Sequence, residues 1–91
     1  MRLRSRLIFV SLIEDADISE RELARRAGLS HSTVNHLMTG RRTNCSLATA
    51  LAITRALSCP VGTLFAAERP DEQLAIDSLR GDLQRPTRVD R

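Results

Sequence analysis

Residues 20–39 read ERELARRAGLSHSTVNHLMT, and this stretch decides the fold that the sequence predicts. Apolar residues recur at steps of three and four on both sides of a glycine, which is the spacing of two amphipathic helices. Serines that suit helix N-caps alternate with glycines that suit helix ends, at Ser19, Gly28, Ser30 and Gly40. Because only one residue separates Gly28 from Ser30, the two short helices must cross steeply rather than lie antiparallel.

The same stretch predicts which side chains face the protein interior. Ser19 and Glu22 form a capping box, in which Ser19 accepts from the Glu22 N–H and the carboxylate reaches back. The inward residues of the two helices are Leu23, Ala24 and Ala27 in the first, and Val34 and Leu37 in the second. The second helix therefore turns a polar face outward.

The remaining segments are also predicted to be helical, since no alternating apolar and polar pattern indicates a strand. A first helix runs from about Arg2 to Asp15. Its stripe comprises Leu3, Leu7, Val10 and Ile13 or Glu14, and Phe9 and Leu12 widen it. Asn44 or Ser46 caps a fourth helix that extends to about Leu57, and Pro60 suits the first turn of a short fifth helix.

Pro70 breaks the chain before a candidate sixth helix, Asp71–Arg80, which Gly81 and Pro86 limit. The apolar residues of this helix are Leu74, Ile76 and Leu79, and Leu83 follows just beyond its predicted end. Residues 87–91 are expected to fray. The prediction is an all-α protein: a compact five-helix domain at residues 1–69 and a C-terminal extension at residues 70–91.

The composition fits one domain with an aliphatic core. Ninety-one residues include two Phe and neither Trp nor Tyr, so little is available for stacking on unpaired bases. All fourteen basic residues are Arg, whose donors match phosphate and guanine. Residues 1–70 carry ten Arg against six acids, whereas residues 71–91 carry four Arg against five acids. The first part is therefore the predicted polyanion-binding unit.

Several other classes of site are not expected. Cys45 and Cys59 are isolated and read as free thiols of a reducing cytoplasm. His31 and His36 are five residues apart, which rotates them away from each other on a helix and disfavours zinc. The apolar run at residues 7–13 is too short to cross a membrane. Local spacing assembles no catalytic grouping and no phosphate loop, so we expect no enzyme, cofactor or small-molecule ligand.

Two segments carry a resemblance to a known family: ISERELARRAGLSHSTVNHLMTGRR at residues 18–42 and SLATALAITRALSCPVGTLF at residues 46–65. With them the chain resembles the Cro/C1-type, phage repressor-like (XRE-like) helix-turn-helix family over about residues 3–67. The resemblance implies a lambda repressor-like fold whose third helix enters the major groove of double-stranded DNA. It also implies a transcriptional regulator, such as a Cro-like or immunity repressor, that occupies operator DNA in the cytoplasm of a bacterial host, at the nucleoid.

The outward residues of the third helix are the candidate base readers: His31, Ser32, Asn35 and His36. Asn35 can pair with adenine, and the two imidazoles can donate to guanine. The alternative is that these residues are only a solvated helix face. Candidate phosphate ligands lie at helix N-termini, in the loop after the third helix and at the start of the chain: Ser19, Ser30, Thr33, Arg41, Arg42, Thr43, Asn44, Arg2, Arg4 and Arg6.

The chain departs from the family pattern at three places. Glu20 stands where the family usually has a Gln that contacts phosphate and braces the recognition helix. A carboxylate favours the helix dipole but would repel that phosphate. Ile13 and Met38 replace a buried Arg–Glu pair that the family often has, so we expect these two side chains to touch. Cys45 replaces a frequent Pro before the fourth helix, a change expected to be neutral.

Two functions remain open from the sequence. The first is the regulator, bound as a homodimer through the fifth helix or the Leu74–Leu83 stripe to half-sites about 34 Å apart. The second is a protein-interaction module on the same scaffold, antitoxin-like or bound to a host protein, for which the acidic C-terminal part would serve as partner segment.

Overall fold

The structure, a computed structural model, describes the backbone of residues 1–84 and the side chains of residues 1–78. Its elements are β1 (Arg2–Leu3), α1 (Arg6–Asp15), α2 (Glu20–Ala27), α3 (His31–Thr39), α4 (Leu47–Ala56), α5 (Val61–Leu64), β2 (Phe65–Ala66) and α6 (Pro70–Gln84). The predicted all-α class is confirmed, with five helices in the expected order, a sixth at the C-terminal end and one minimal sheet.

Four of the helices begin at a serine whose hydroxyl accepts the backbone N–H three residues further on. These N-caps are Ser5, Ser19, Ser30 and Ser46. Each hydroxyl satisfies a backbone donor that the first turn of a helix leaves without a partner. Of the two caps predicted for α4, Ser46 is the one used. The Glu22 carboxylate does not complete the predicted capping box, because it accepts hydrogen bonds from Arg25 and Arg26.

Three helices end in the same hydrogen-bonded reversal, with one residue in the left-handed region just after the helix. At these three helix ends, the residues with positive φ are Asp17 at 59°, Gly28 at 71° and Ser58 at 56°. At each end two N–H groups bond back across the last turn, as Ser58 to Arg55 and Cys59 to Thr54 do after α4. Only Gly28 carries the residue type that makes this conformation inexpensive.

The core is built around α2, α3 and α4 and contains both phenylalanines, so the expectation of a purely aliphatic core is wrong. Its largest fully buried side chains are Phe9, Phe65, Leu23, Leu37, Ile53, Leu64 and Val34. Helix α2 packs on both α3 and α4, while α1 packs on α3. Each large side chain removed from water contributes about 1.5–3 kcal/mol, so this cluster dominates the stability of the fold.

The first five residues are not helical, which corrects the prediction of a helix from about Arg2. Strand β1 pairs antiparallel with β2, with Arg2 opposite Ala66 and Leu3 opposite Phe65. On its other side, the Leu3 N–H donates to the Thr43 carbonyl at 2.8 Å. Helix α1 buries Phe9 and Ile13 of the predicted apolar stripe, but Leu3 lies on β1 and Leu7 is 76% exposed.

The N-terminal ammonium of Met1 is buried between the α3–α4 loop and α6. It donates to the Cys45 carbonyl at 2.8 Å and to Glu72 Oε2 at 2.9 Å, and Glu68 Oε1 lies 3.5 Å away. The Cys45 N–H in turn donates to the Met1 carbonyl at 2.8 Å. A proline at position 45 would lack this N–H, so the cysteine permits a bond that the residue frequent in the family could not make.

Helix α6 runs to Gln84, so Gly81 does not end it as predicted; one helical glycine costs only about 1 kcal/mol. Its apolar stripe divides, because Ile76 is buried in the core whereas Leu74 is 70% exposed. The side chains of Leu79 and Leu83 lie outside the described residues, as do Pro86 and residues 87–91, for which the sequence makes predictions. Within residues 1–84, none of the helices has the length and apolar character required to cross a membrane.

Replacing Ser58 by glycine tests the cost of the left-handed residue after α4. Glycine adopts this φ freely, so Ser58→Gly should raise the free energy of unfolding by about 0.5–1 kcal/mol in urea denaturation. Ser58→Ala is the matched control, since it removes the hydroxyl but keeps the strained φ. A Ser58→Gly protein no more stable than Ser58→Ala would contradict this account.

The Met1–Glu72 ion pair predicts a stability maximum between acid and alkaline pH. The Glu68 N–H and then the Met1 ammonium lower the pKa of the Glu72 carboxyl, so its contribution is lost as pH falls through that lowered pKa. Burial opposes the ammonium charge, but the hydrogen bonds and charges of Glu72 and Glu68 outweigh it and raise the Met1 pKa. That contribution is complete below about pH 8 and is lost as pH rises through the raised pKa.

Urea denaturation at a series of pH values measures this effect. Wild type should exceed Glu72→Gln in stability most strongly between about pH 5 and pH 8, the unfolded-state values of the two groups being about 4.3 and 8. Glu14→Gln, which removes an exposed carboxylate on α1, is the matched control and should follow the wild-type profile. A difference between wild type and Glu72→Gln that does not vary with pH would contradict the ion-pair account.

Candidate nucleic-acid interface

Helix α3 separates an apolar face from a polar one, as the sequence predicts. Val34 and Leu37 have no exposed surface and lie in the core. On the polar side, His31 and Ser32 are exposed, and Asn35 and His36 are half-buried. The buried pair fixes the rotation of the helix, so the four candidate base readers lie outside the core, with Asn35 and His36 partly covered by the described part of the chain.

The carboxylate of Glu20, the first residue of α2, contacts two of these four residues. Its Oε1 atom accepts a hydrogen bond from Asn35 Nδ2 at 3.0 Å and lies 3.3 Å from His31 Nε2. His31 and Asn35 are one helical turn apart and therefore share a face of α3. The first turn of α2 is thus joined to the polar face of α3 by a hydrogen bond at the rim of the core.

The two serines at the helix N-termini use their hydroxyls as caps. Ser19 Oγ accepts from the Glu22 N–H at 3.0 Å, and Ser30 Oγ accepts from the Thr33 N–H at 3.2 Å. The Ser30 and Thr33 hydroxyls also form a 2.8 Å hydrogen bond with each other. A phosphate at either helix start would therefore meet the remaining free backbone N–H groups and the positive end of the helix dipole.

The loop after α3 exposes its side chains while its backbone is anchored at three points. The exposed residues are the four predicted phosphate ligands of this loop: Arg41, Arg42, Thr43 and Asn44. The Arg42 N–H donates to the His36 carbonyl at 3.0 Å, and Thr43 accepts from the Leu3 N–H. Asn44 forms an isolated bridge with Arg2. The guanidinium groups can move, but the chain that carries them is fixed to the domain.

The three N-terminal arginines are not equivalent in the structure. The Arg6 guanidinium donates to the Thr39 carbonyl at 2.9 Å, which places a positive charge at the C-terminal end of α3. Arg4 Nε donates to the Gly62 carbonyl at 2.8 Å, on α5. Arg2 is exposed on β1. Of the three, Arg6 is thus the one whose guanidinium contacts the end of α3, whereas Arg2 lies beside the following loop through its bridge with Asn44.

Gly40, where α3 ends, serves both its own turn and Arg6. Its φ is 83°, a conformation that side chains rarely adopt. A Cβ atom at this position would lie 2.8 Å from the nearest guanidinium nitrogen of Arg6. The glycine therefore allows the close approach that brings the Arg6 charge to the end of α3.

The remaining departures from the family pattern have simple structural counterparts. Ile13 is 4% exposed, and Met38 is half-buried against the core, so neither side chain lies free in solvent.

Cys45 and Cys59 are free and half-buried. Burial raises the pKa of the Cys45 thiol to about 11, and burial also raises that of Cys59. Within the described residues no group of three or more His, Cys, Asp or Glu side chains could hold a metal ion.

Two contacts of this surface were not anticipated from the sequence. The sequence gives Glu20 a doubtful phosphate contact but does not reveal its hydrogen bond to Asn35, fifteen positions away. It places Arg6 among the phosphate ligands but not at the Thr39 carbonyl, thirty-three positions away. The sequence offers one hint of the Glu20–Asn35 contact: a carboxylate begins α2, and a carboxamide lies on the polar face of α3.

Together these elements define a helix-turn-helix protein. Its two short helices, α2 and α3, are joined by a turn at Gly28, and the polar face of α3 lies outside the core. A family model for the Cro/C1-type HTH DNA-binding domain matches residues 11–70. The chain belongs to this family, and it carries a DNA-binding domain of that type. No curated protein and no solved structure matches the chain.

Proposed function

We propose that the protein is a transcriptional repressor that occupies operator DNA by inserting α3 into the major groove. The observation that carries this proposal is the complete burial of Val34 and Leu37, which leaves four polar residues outside the core: His31, Ser32, Asn35 and His36. A recognition helix needs such an uncovered polar face, because base edges are read by hydrogen-bond donors and acceptors.

Phosphate contacts are proposed for the two borders of this face. On one side lie the N-termini of α2 and α3, with Ser19, Ser30 and Thr33. On the other lie Arg41, Arg42, Thr43 and Asn44, with the Arg6 charge at the end of α3. Such contacts fix the register of a protein on the duplex and contribute most of the salt-dependent affinity.

We further propose that the protein binds as a homodimer to two half-sites, acting on the nucleoid in the cytoplasm of a bacterial host. Of the two surfaces predicted for dimer formation, α5 has its apolar residues Val61 and Leu64 buried in the domain's own core. Helix α6 exposes Leu74. The α6 surface therefore supports the proposal better than α5.

Two exposed leucines favour a second candidate function, which is a protein-interaction module on the same scaffold. Leu7 on α1 and Leu74 on α6 are both more than two-thirds exposed, at 76% and 70%. Duplex binding measured across a range of salt concentrations separates the two functions. A repressor loses affinity steeply as salt rises and prefers one sequence, whereas an interaction module shows no duplex affinity even at low salt.

Selection from a random-sequence duplex library should return a near-palindrome with half-sites about one helical turn, about 34 Å, apart. The palindrome follows from two copies of α3 related by a two-fold axis, and the spacing follows from the helical repeat of the DNA. Sedimentation on the selected duplex should then show two chains per site. An enriched sequence without two-fold symmetry would contradict the dimer, and no enrichment at all would contradict the repressor.

Substitution of Asn35 and of Arg41 should distinguish base reading from phosphate binding. Asn35→Ala should relax preference at one base position, at a cost of about 1–3 kcal/mol for the selected sequence only. Arg41→Ala should weaken all duplexes by a similar factor and reduce the slope of log affinity against log salt by about one for each bound chain. Titration of the selected duplex and a scrambled one measures both effects. Equal losses on both duplexes from both variants would rule out Asn35 as a reader.

A further inference from the structure

The loop after α3 is fastened to the domain by the first residues of the chain. The Leu3 N–H donates to the Thr43 carbonyl at 2.8 Å. Met1 and Cys45 exchange two hydrogen bonds, from the Met1 ammonium to the Cys45 carbonyl and from the Cys45 N–H to the Met1 carbonyl, both at 2.8 Å. These bonds hold the backbone of the loop that carries the two exposed arginines.

The position of Met1 depends in turn on α6. An ammonium group has three N–H donors, and this one faces three acceptors: the Cys45 carbonyl at 2.8 Å, Glu72 Oε2 at 2.9 Å and Glu68 Oε1 at 3.5 Å. We call these four residues the Met1 junction. Met1 and Glu72 are both buried, so the loss of either charge would leave the other buried without its partner, which is a costly state.

Glu72 uses both of its carboxylate oxygens in the junction. Oε2 accepts from the Met1 ammonium, and Oε1 accepts from the Glu68 N–H at 2.9 Å. A glutamine has one oxygen in place of two, so it would turn an N–H toward one of these two donors. Met1 and Glu72 both lie outside residues 11–70, the part of the chain that matches the family model, so the family likeness assigns the junction no role.

We propose that Glu72 is a positioning residue for DNA binding, which acts through the Met1 ammonium to hold the loop after α3 where its arginines meet the phosphate backbone. The proposal rests on the proposed function, since it requires this loop to contact phosphate. A residue of α6 then sets duplex affinity without touching the duplex. The free amino group of Met1 is part of the arrangement, because an acyl group there would remove the charge and two of the three donors.

The junction should affect affinity and not the choice of base. A loop that is already in place needs no ordering when DNA binds, so it supports a higher affinity. The rotation of α3 is fixed separately, by Val34 and Leu37 in the core. Loosening the loop should therefore weaken binding to every duplex by a similar factor.

The test titrates wild type and Glu72→Gln with the selected duplex and a scrambled one, at a temperature where circular dichroism shows both proteins folded. Glu72→Gln should lower both affinities by about tenfold, the cost of ordering roughly one loop residue again on binding. The direction is diagnostic, because loss of a carboxylate alone raises affinity for a polyanion. Asp77→Asn, which removes an exposed carboxylate from the same helix, is the charge-matched control and should not lower affinity.

A double substitution separates loop positioning from a general loss of stability. Arg41→Ala should cost less affinity in the Glu72→Gln protein than in wild type, because the Arg41 contact is then offset by the cost of ordering its loop. A lower fraction of folded protein would instead leave the factor for Arg41→Ala unchanged, and that result would contradict the proposal.

Acetylation of Met1 tests the junction from its other side and changes no side chain. A chemically synthesised full chain with an N-terminal acetyl group should lose as much affinity as Glu72→Gln, relative to a synthetic chain with a free amine, and it decides the question if Glu72→Gln fails to fold. A folded variant that binds as tightly as its control would overturn the proposal and leave the repressor intact. A wild-type protein without duplex affinity at low salt would overturn both.

Discussion

The packing of α3 against α2 is the constraint on which the rest of the structure depends. Val34 and Leu37 are fully buried against a surface that includes Leu23 and the small Ala24. Turning α3 about its axis would move two aliphatic side chains into water, at about 1.5–3 kcal/mol each. The hydrophobic effect therefore holds the rotation of α3, and with it the direction of His31, Ser32 and Asn35.

Features that arise within a few residues could be predicted from the sequence. The serine caps at Ser19 and Ser30 and the left-handed glycines at Gly28 and Gly40 depend on local backbone geometry, and the structure has all four. The two buried residues of α3 follow from helical periodicity. The ends at Asp17 and Ser58 give no such signal, because there the chain adopts the left-handed conformation without glycine.

Features that join distant parts of the chain could not be predicted in the same way. Leu3 and Leu7 continue the helical spacing of α1, yet β1 pairs with residues more than sixty positions away. Nothing within residues 1–15 signals that partner, so local periodicity favours a helix. The candidate site shows the same division: its polar face was predictable, whereas the bonds from Asn35 to Glu20 and from Arg6 to Thr39 come from tertiary packing.

The N-terminal segment gives these distant parts a common anchor. Its backbone bonds to the loop after α3 on one side and to β2 on the other, and its ammonium group pairs with Glu72 of α6. Burying an ammonium is costly unless charges and hydrogen bonds compensate, and here one carbonyl and two carboxylates do so. An apolar contact would tolerate sliding, whereas this polar junction is satisfied only when the loop and α6 are both in place. The same segment that escapes local prediction therefore couples the position of the loop after α3 to the position of the C-terminal helix.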